Sequence, residues 1–142
     1  AILVNRDGKR FINELDTRDV VSKAELNQKG GSAYLMFDEN VKKSLKAIDS
    51  YDKKGYLTKG NTIEELAKNL DIPSKELEKT FSKYNESVKA GVDSEFNRQS
   101  LPTSLSQGPF YSVEVAPAVH HTMGGIKINE NTEVELYLPK EL

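Results

Sequence analysis

A chain of 142 residues, 37% hydrophobic and 30% charged, has the size and balance of one domain with one core. Its formal net charge of −2 comes from interleaved basic and acidic residues, so charge gives no footing for a nucleic-acid partner. No apolar run approaches membrane-spanning length, no basic-then-apolar leader is visible, and a chain without cysteine cannot be a disulfide-stapled scaffold.

Ala1 to Asn5 begins inside a strand-like apolar run without an initiator methionine, which leads us to expect a domain excised from a longer protein. Ile2–Asn5 and Lys9–Asn13 flank Arg6-Asp7-Gly8, and Asp-Gly between apolar runs predicts a hairpin. A polar cluster from Glu14 to Asp19 then precedes a helical pattern through Val20, Val21 and Ala24. Thr17 is placed to cap that helix and Gly30-Gly31 to end it. Arg18 falls in the first turn, where a cation opposes the helix dipole. That placement hints at a task elsewhere; the simpler alternative pairs Arg18 with Asp16 or Asp19.

Ser32–Phe37 reads as a strand buried on both faces. Asp38 is placed to cap one helix carrying Val41, Leu45 and Ile48 on its apolar stripe. Residues 51–61 are turn-rich, with Tyr56-Leu57 briefly extended. Thr62-Ile63-Glu64-Glu65 fits a capping box, followed by Leu66, Ala67 and Leu70. A further helix begins near Pro73 and carries Leu77, Phe81, Tyr84 and Val88 until Gly91. Its aromatic stripe reads as core, packed in a helical hairpin.

Residues 92–108, rich in Ser, Asn, Gln and Pro, predict an ordered surface loop. Pro109–Pro117 reads as a strand that delivers Val119-His120-His121. Ile126-Lys127-Ile128 and Thr132–Leu138 are two more alternating runs, joined by a turn at Asn129–Asn131. No internal repeat or low-complexity segment is present.

Both histidines of the chain, His120 and His121, stand side by side before Gly124-Gly125. Imidazole is the side chain whose unperturbed charge change falls near neutral pH, and glycine lets backbone approach a flat or bulky group. Adjacent strand residues point to opposite faces, and with no cysteine to complete a shell a metal site is not expected. One ring facing a ligand is the natural geometry; a surface pair or a hydrogen-bonded core pair is the plain alternative.

With Arg10-Phe11, Glu14, Thr17-Arg18-Asp19, Ser32–Asp38, Tyr84-Asn85, Gly91-Val92-Asp93, Phe96 and His120-His121-Thr122-Met123-Gly124-Gly125 in place, the chain resembles the flavoprotein fumarate reductases and succinate dehydrogenases. It looks closest to the mobile capping (clamp) domain of the soluble, single-chain branch. The resemblance implies an α+β fold, with helices packed on a small, mostly antiparallel sheet, and one capping domain over residues 1–142. It implies FAD, held mainly by a separate FAD-binding domain of the same parent, and a substrate of the fumarate/succinate dicarboxylate type.

The same resemblance matches Arg18 to the acid that protonates one alkene carbon while reduced flavin delivers hydride to the other. It matches His120 to a residue holding a substrate carboxylate and His121 to a position against the flavin where relatives place tyrosine. Gly124 and Gly125 would then let backbone pass near the ring. Family relay residues would lie upstream of Ala1 and a second clamping arginine beyond Leu142. No Gly-x-Gly-x-x-Gly and no Cys-x-x-Cys-His haem motif is present, so the chain by itself is not expected to hold FAD firmly or to turn over. Anaerobic electron transport is the setting implied, in periplasm or cytoplasm. Urocanate or another unsaturated acid is the alternative substrate. A non-catalytic interaction module, binding through the face around His120, is the alternative of a different class.

Overall fold

The computed structural model describes residues 1–119 and 124–134. Two strands carry the sheet: β2 (Ala33–Asp38) and β4 (Phe110–Val115) pair antiparallel along six positions, from Ala33 opposite Val115 to Asp38 opposite Phe110. β1 (Ile2–Val4) pairs antiparallel on the free side of β2, and β3 (Thr58–Gly60) on the free side of β4, giving the order β1-β2-β4-β3. Between them run α1 (Arg18–Leu26), α2 (Glu39–Ser44), α3 (Lys46–Lys53), α4 (Ile63–Asn69) and α5 (Ser74–Ala90). The expected α+β class, helices with a small antiparallel sheet, is what the chain forms.

Side-chain alternation divides the sheet into two faces. Ile2, Val4, Met36 and Phe110 join Leu66, Leu77, Phe81 and Tyr84 in the core, and the Phe110 ring meets Phe81 edge-on at 5.6 Å. On the other face Phe37 stacks on Tyr111 at 5.8 Å, and Lys42 of α2 lies over the Tyr111 ring. The row Leu3, Leu35 and Val113 belongs to this second face, because those residues stand opposite one another in the register.

Local chemistry fixes several boundaries as expected. Asp38 accepts from Val41 N–H at 3.1 Å to cap α2. Thr62 accepts from Glu65 N–H at 3.1 Å to cap α4, while the Glu65 carboxylate reaches Asn61 N–H, one residue before the position a capping box uses. Gly91 ends α5 in the left-handed conformation at φ 71°. Gly60 is required sterically: a Cβ there would stand 2.3 Å from the Leu66 nitrogen.

Four expectations need correction. The hairpin turn forms, with Gly8 N–H donating to the Asn5 carbonyl and Asn5 N–H to the Lys9 carbonyl. Its second strand shrinks to one bridge between Val4 and Arg10, because the Arg10 side chain is drawn inward by Glu14 and Asp93. Thr17 occupies the N-cap of α1 without making a side-chain cap bond; its hydroxyl instead helps hold the Asp19 carboxyl below the usual range. α1 ends at Leu26, before the glycine pair. The single helix expected after Asp38 is two, broken at Leu45, which takes extended backbone and is 51% exposed. The Ser44 hydroxyl bonds back to the Val41 carbonyl there, and α3 turns so that Lys42 pairs with Asp52.

The 92–108 segment does more than cover a surface. It sends Asp93 and Arg98 into a buried ionic cluster with Arg10 and Glu14. Arg10 Nε and Nη2 meet the two Glu14 oxygens at 2.8 and 2.9 Å, and Nη2 also meets Asp93 at 2.9 Å. Arg98 donates to Glu14 at 3.1 Å and to the Ala1 carbonyl at 2.8 Å. The Arg10 guanidinium lies 4.9 Å from the Phe96 ring and 5.4 Å from the Tyr84 ring. Burial opposes charge at Arg10, and the bonds to Glu14 and Asp93 outweigh it, raising its pKa further. Burial likewise opposes the Asp93 charge, and Arg10 overcomes it, holding that carboxyl below its ordinary value.

Candidate active site

A helix returns to the same face after three, four and seven residues, so Arg18, Val21, Ser22 and Glu25 form one stripe along α1. That stripe is one wall of a groove of about 420 Å³. Leu3, Leu35 and Val115 make an apolar floor, Glu14 joins the lining, and Ala116, Pro117 and Ala118 make the opposite wall. The opening and closing strands of the sheet therefore bring the start of the chain and the segment after β4 to one concavity.

Arg18 is exposed and forms no ion pair with a described residue. Asp16 instead accepts from Thr17 N–H at 2.7 Å, so the simple pairing of Arg18 with its acidic neighbours is not what the structure contains. Glu14 is committed elsewhere, accepting from Arg10, Arg98 and the Leu3 backbone N–H at 3.2 Å. Glu25 is 8% exposed and its side chain has no hydrogen-bond or ionic partner among the described residues. Burial pushes its carboxyl above the ordinary value, because a charged group loses hydration there.

His120 and His121 lie outside the described residues. The segment leading to them is described, and Ala118, two positions before His120, lines the Arg18 groove. Gly124 and Gly125 are exposed, and a Cβ at either would meet no described residue within 4 Å. Residues Ile128 and Val134 form one antiparallel bridge beyond them. Among the described residues no cluster fits a metal ion, and no helix is long and apolar enough to cross a membrane.

These residues fit a flavin in one respect and not in another. The open glycine pair leaves room for a planar ring against the backbone. The sheet, however, is antiparallel throughout, so the described residues contain no parallel strand-turn-helix unit of the kind that cradles a dinucleotide pyrophosphate. The Glu25 position, seven residues after Arg18, was accessible to helical-spacing reasoning; the Ala116–Ala118 wall was not, because only the β2–β4 register places it.

Comparison with known proteins gives this geometry its context. The chain is 48% identical over 134 residues to the fumarate reductase (cytochrome) of Shewanella frigidimarina, covering 94% of this chain and 24% of that protein. It is 35% identical over 141 residues to the urocanate reductase of Eggerthella lenta, covering 94% of this chain and 23% of the relative. The solved open conformation of a flavocytochrome c3 fumarate reductase superposes with a TM-score of 0.89 at 46% identity, over 94% of this chain and 24% of that one. The chain thus spans about a quarter of the length of each of these relatives. Residues 1–139 match the model of the FAD binding domain family, and the chain belongs to that family of flavoproteins.

Proposed function

We propose that this chain is the substrate-capping unit of an FAD-dependent reductase that converts fumarate to succinate, with Arg18 as the acid and His120 as a ligand of a substrate carboxylate. The observation that carries the reading is Arg18, with no ionic partner among the described residues, on a groove whose opposite wall runs within two residues of His120. Leu3 and Ala118 lining one groove also suit a unit joined to the rest of its parent by neighbouring connections. His121, Gly124 and Gly125 are assigned to the flavin side, and closure over the ring would exclude water.

When bound, FAD supplies the hydride for the double bond. This chain supplies positive charge and a proton. Charge develops beside the substrate carboxylate during reduction, and a guanidinium held over an apolar floor stabilises it more strongly than in water. Arg18 delivers its proton to the neighbouring alkene carbon. Because arginine ordinarily stays protonated far above neutral pH, that step requires immediate return of the proton from a relay. A non-catalytic interaction module would leave Arg18 pointing away from the groove or locked by acidic neighbours; Arg18 lines the groove, and no such pairing occurs among the described residues.

A second substrate reading is favoured by Glu25. It stands on the Arg18 stripe at a helical rise of roughly 10 Å, where it would meet a basic or hydrogen-bonding group on the far end of a longer unsaturated acid such as urocanate. The test is the full-length flavoprotein carrying Arg18→Gln, assayed with fumarate and with urocanate. The expected result is retained flavin with turnover reduced by roughly 10²-fold or more. Unchanged turnover on both acids removes Arg18 from the mechanism.

A further inference from the structure

The second face of the sheet carries a cavity beyond the Arg18 groove. It has a volume of about 460 Å³ and is lined by Leu35, Val113, Glu114 and Val115 with Tyr51 and Tyr56. Leu35 and Val115 line both cavities, so together they form one trough across the sheet between α1 and α3. Its floor is only half-buried. Tyr51 and Tyr56 are 45% and 59% exposed, whereas Tyr34, Tyr84 and Tyr111 are buried in the core. The one acid lining the Tyr51–Tyr56 end of the trough, Glu114, pairs with Arg6 at 2.6 Å, which leaves that end an apolar surface with two hydroxyl tips.

We propose that this trough is an interdomain contact surface, covered in the full-length flavoprotein by another part of the same polypeptide that inserts apolar side chains against Tyr51 and Tyr56. The inference rests on the capping reading and extends it across the sheet, past the substrate groove. The occupant is chosen on two grounds. The relatives are about four times as long as the span they share with this chain. The trough is also continuous with the groove bordered by Leu3 and Ala116–Ala118, where segments flanking the sheet already run. Aromatic residues with one apolar body and one polar tip suit such a boundary, and a contiguous exposed apolar patch is the usual mark of a contact surface.

Hydrogen exchange compares the 142-residue chain with its full-length flavoprotein. Amides of residues 51–57 are expected to exchange more slowly in the full-length protein by about tenfold or more, together with those of residues 18–26. In the double variant Tyr51→Ser, Tyr56→Ser the slowing at 51–57 should vanish while the 142-residue chain melts at an unchanged temperature, since both rings are exposed. Slowing confined to residues 18–26 and 115–118 overturns the extension and leaves the capping reading intact. Slowing at neither place overturns both. Protection of 51–57 in the 142-residue chain that grows with its concentration assigns the trough to a second copy and overturns the proposal.

Discussion

Arg18 and Glu25 stand on one face of α1, seven residues apart, and neither has an ionic partner among the described residues. A charged and a buried acidic group left unpaired on the same wall contradict what stability alone would select, and each gives a separate prediction.

For Glu25 the sign follows from burial. Its folded-state carboxyl holds a proton above the ordinary value of 4.5, so the folded chain binds more protons than the unfolded one as pH rises past that value. The Glu25 contribution to stability is therefore greatest below it and falls as pH climbs toward the raised folded value. Urea melts of the 142-residue chain should show this decline, and Glu25→Gln should flatten it. A parallel decline in the variant assigns the slope to another group.

Arg18 should show a trade between stability and activity. A cation in the first turn opposes the helix dipole, so Arg18→Gln should leave the chain unchanged or stabilise it by about 0.5 kcal/mol, while activity of the full-length protein collapses. Destabilisation by the substitution would show that Arg18 has a structural task.

The buried cluster predicts the opposite behaviour. Arg10→Met strands the enclosed Asp93 carboxylate and leaves the enclosed Glu14 with Arg98 and the Leu3 N–H alone, and should cost about 3–5 kcal/mol. Asp93 ionises below its ordinary value of 3.8 in the folded chain. Its contribution is present above that value and is lost as pH falls beneath it. Acid titration of Asp93→Asn should lack this component; a loss below about 1 kcal/mol in Arg10→Met refutes the cluster's weight.

Glycine replacements separate fold from site. Gly60→Ala should cost about 3 kcal/mol, because the new methyl collides with the backbone of Leu66. Gly124→Ala and Gly125→Ala meet nothing among the described residues and should leave the melting temperature of the chain unchanged. In the full-length protein they should weaken flavin retention. Normal flavin content in both would remove the glycine pair from the cofactor face.

What could be read from sequence was local. The caps at Asp38 and Thr62, the αL end at Gly91 and the alternating runs of β2 and β4 each depend on a few neighbouring residues. The break at Leu45 escaped because apolar spacing across 41, 45 and 48 hid a hydroxyl at Ser44 that competes for the backbone. The Arg10–Asp93 pair escaped because its partners are 83 positions apart, which no periodicity reports. For the candidate site, Arg18 was visible as a misplaced cation, Glu25 could be placed on its stripe by helical spacing although its burial could not be read, and His120 lies outside the described residues.

The Arg98 bond to the Ala1 carbonyl and the Glu14 bond to the Leu3 N–H have a mechanical meaning. Tension applied along the first strand passes into the 92–108 segment and the Glu14 region through salt-bridged side chains, so the strand resists peeling. Under the proposed capping role, this part of the chain would open and close as one stiff block.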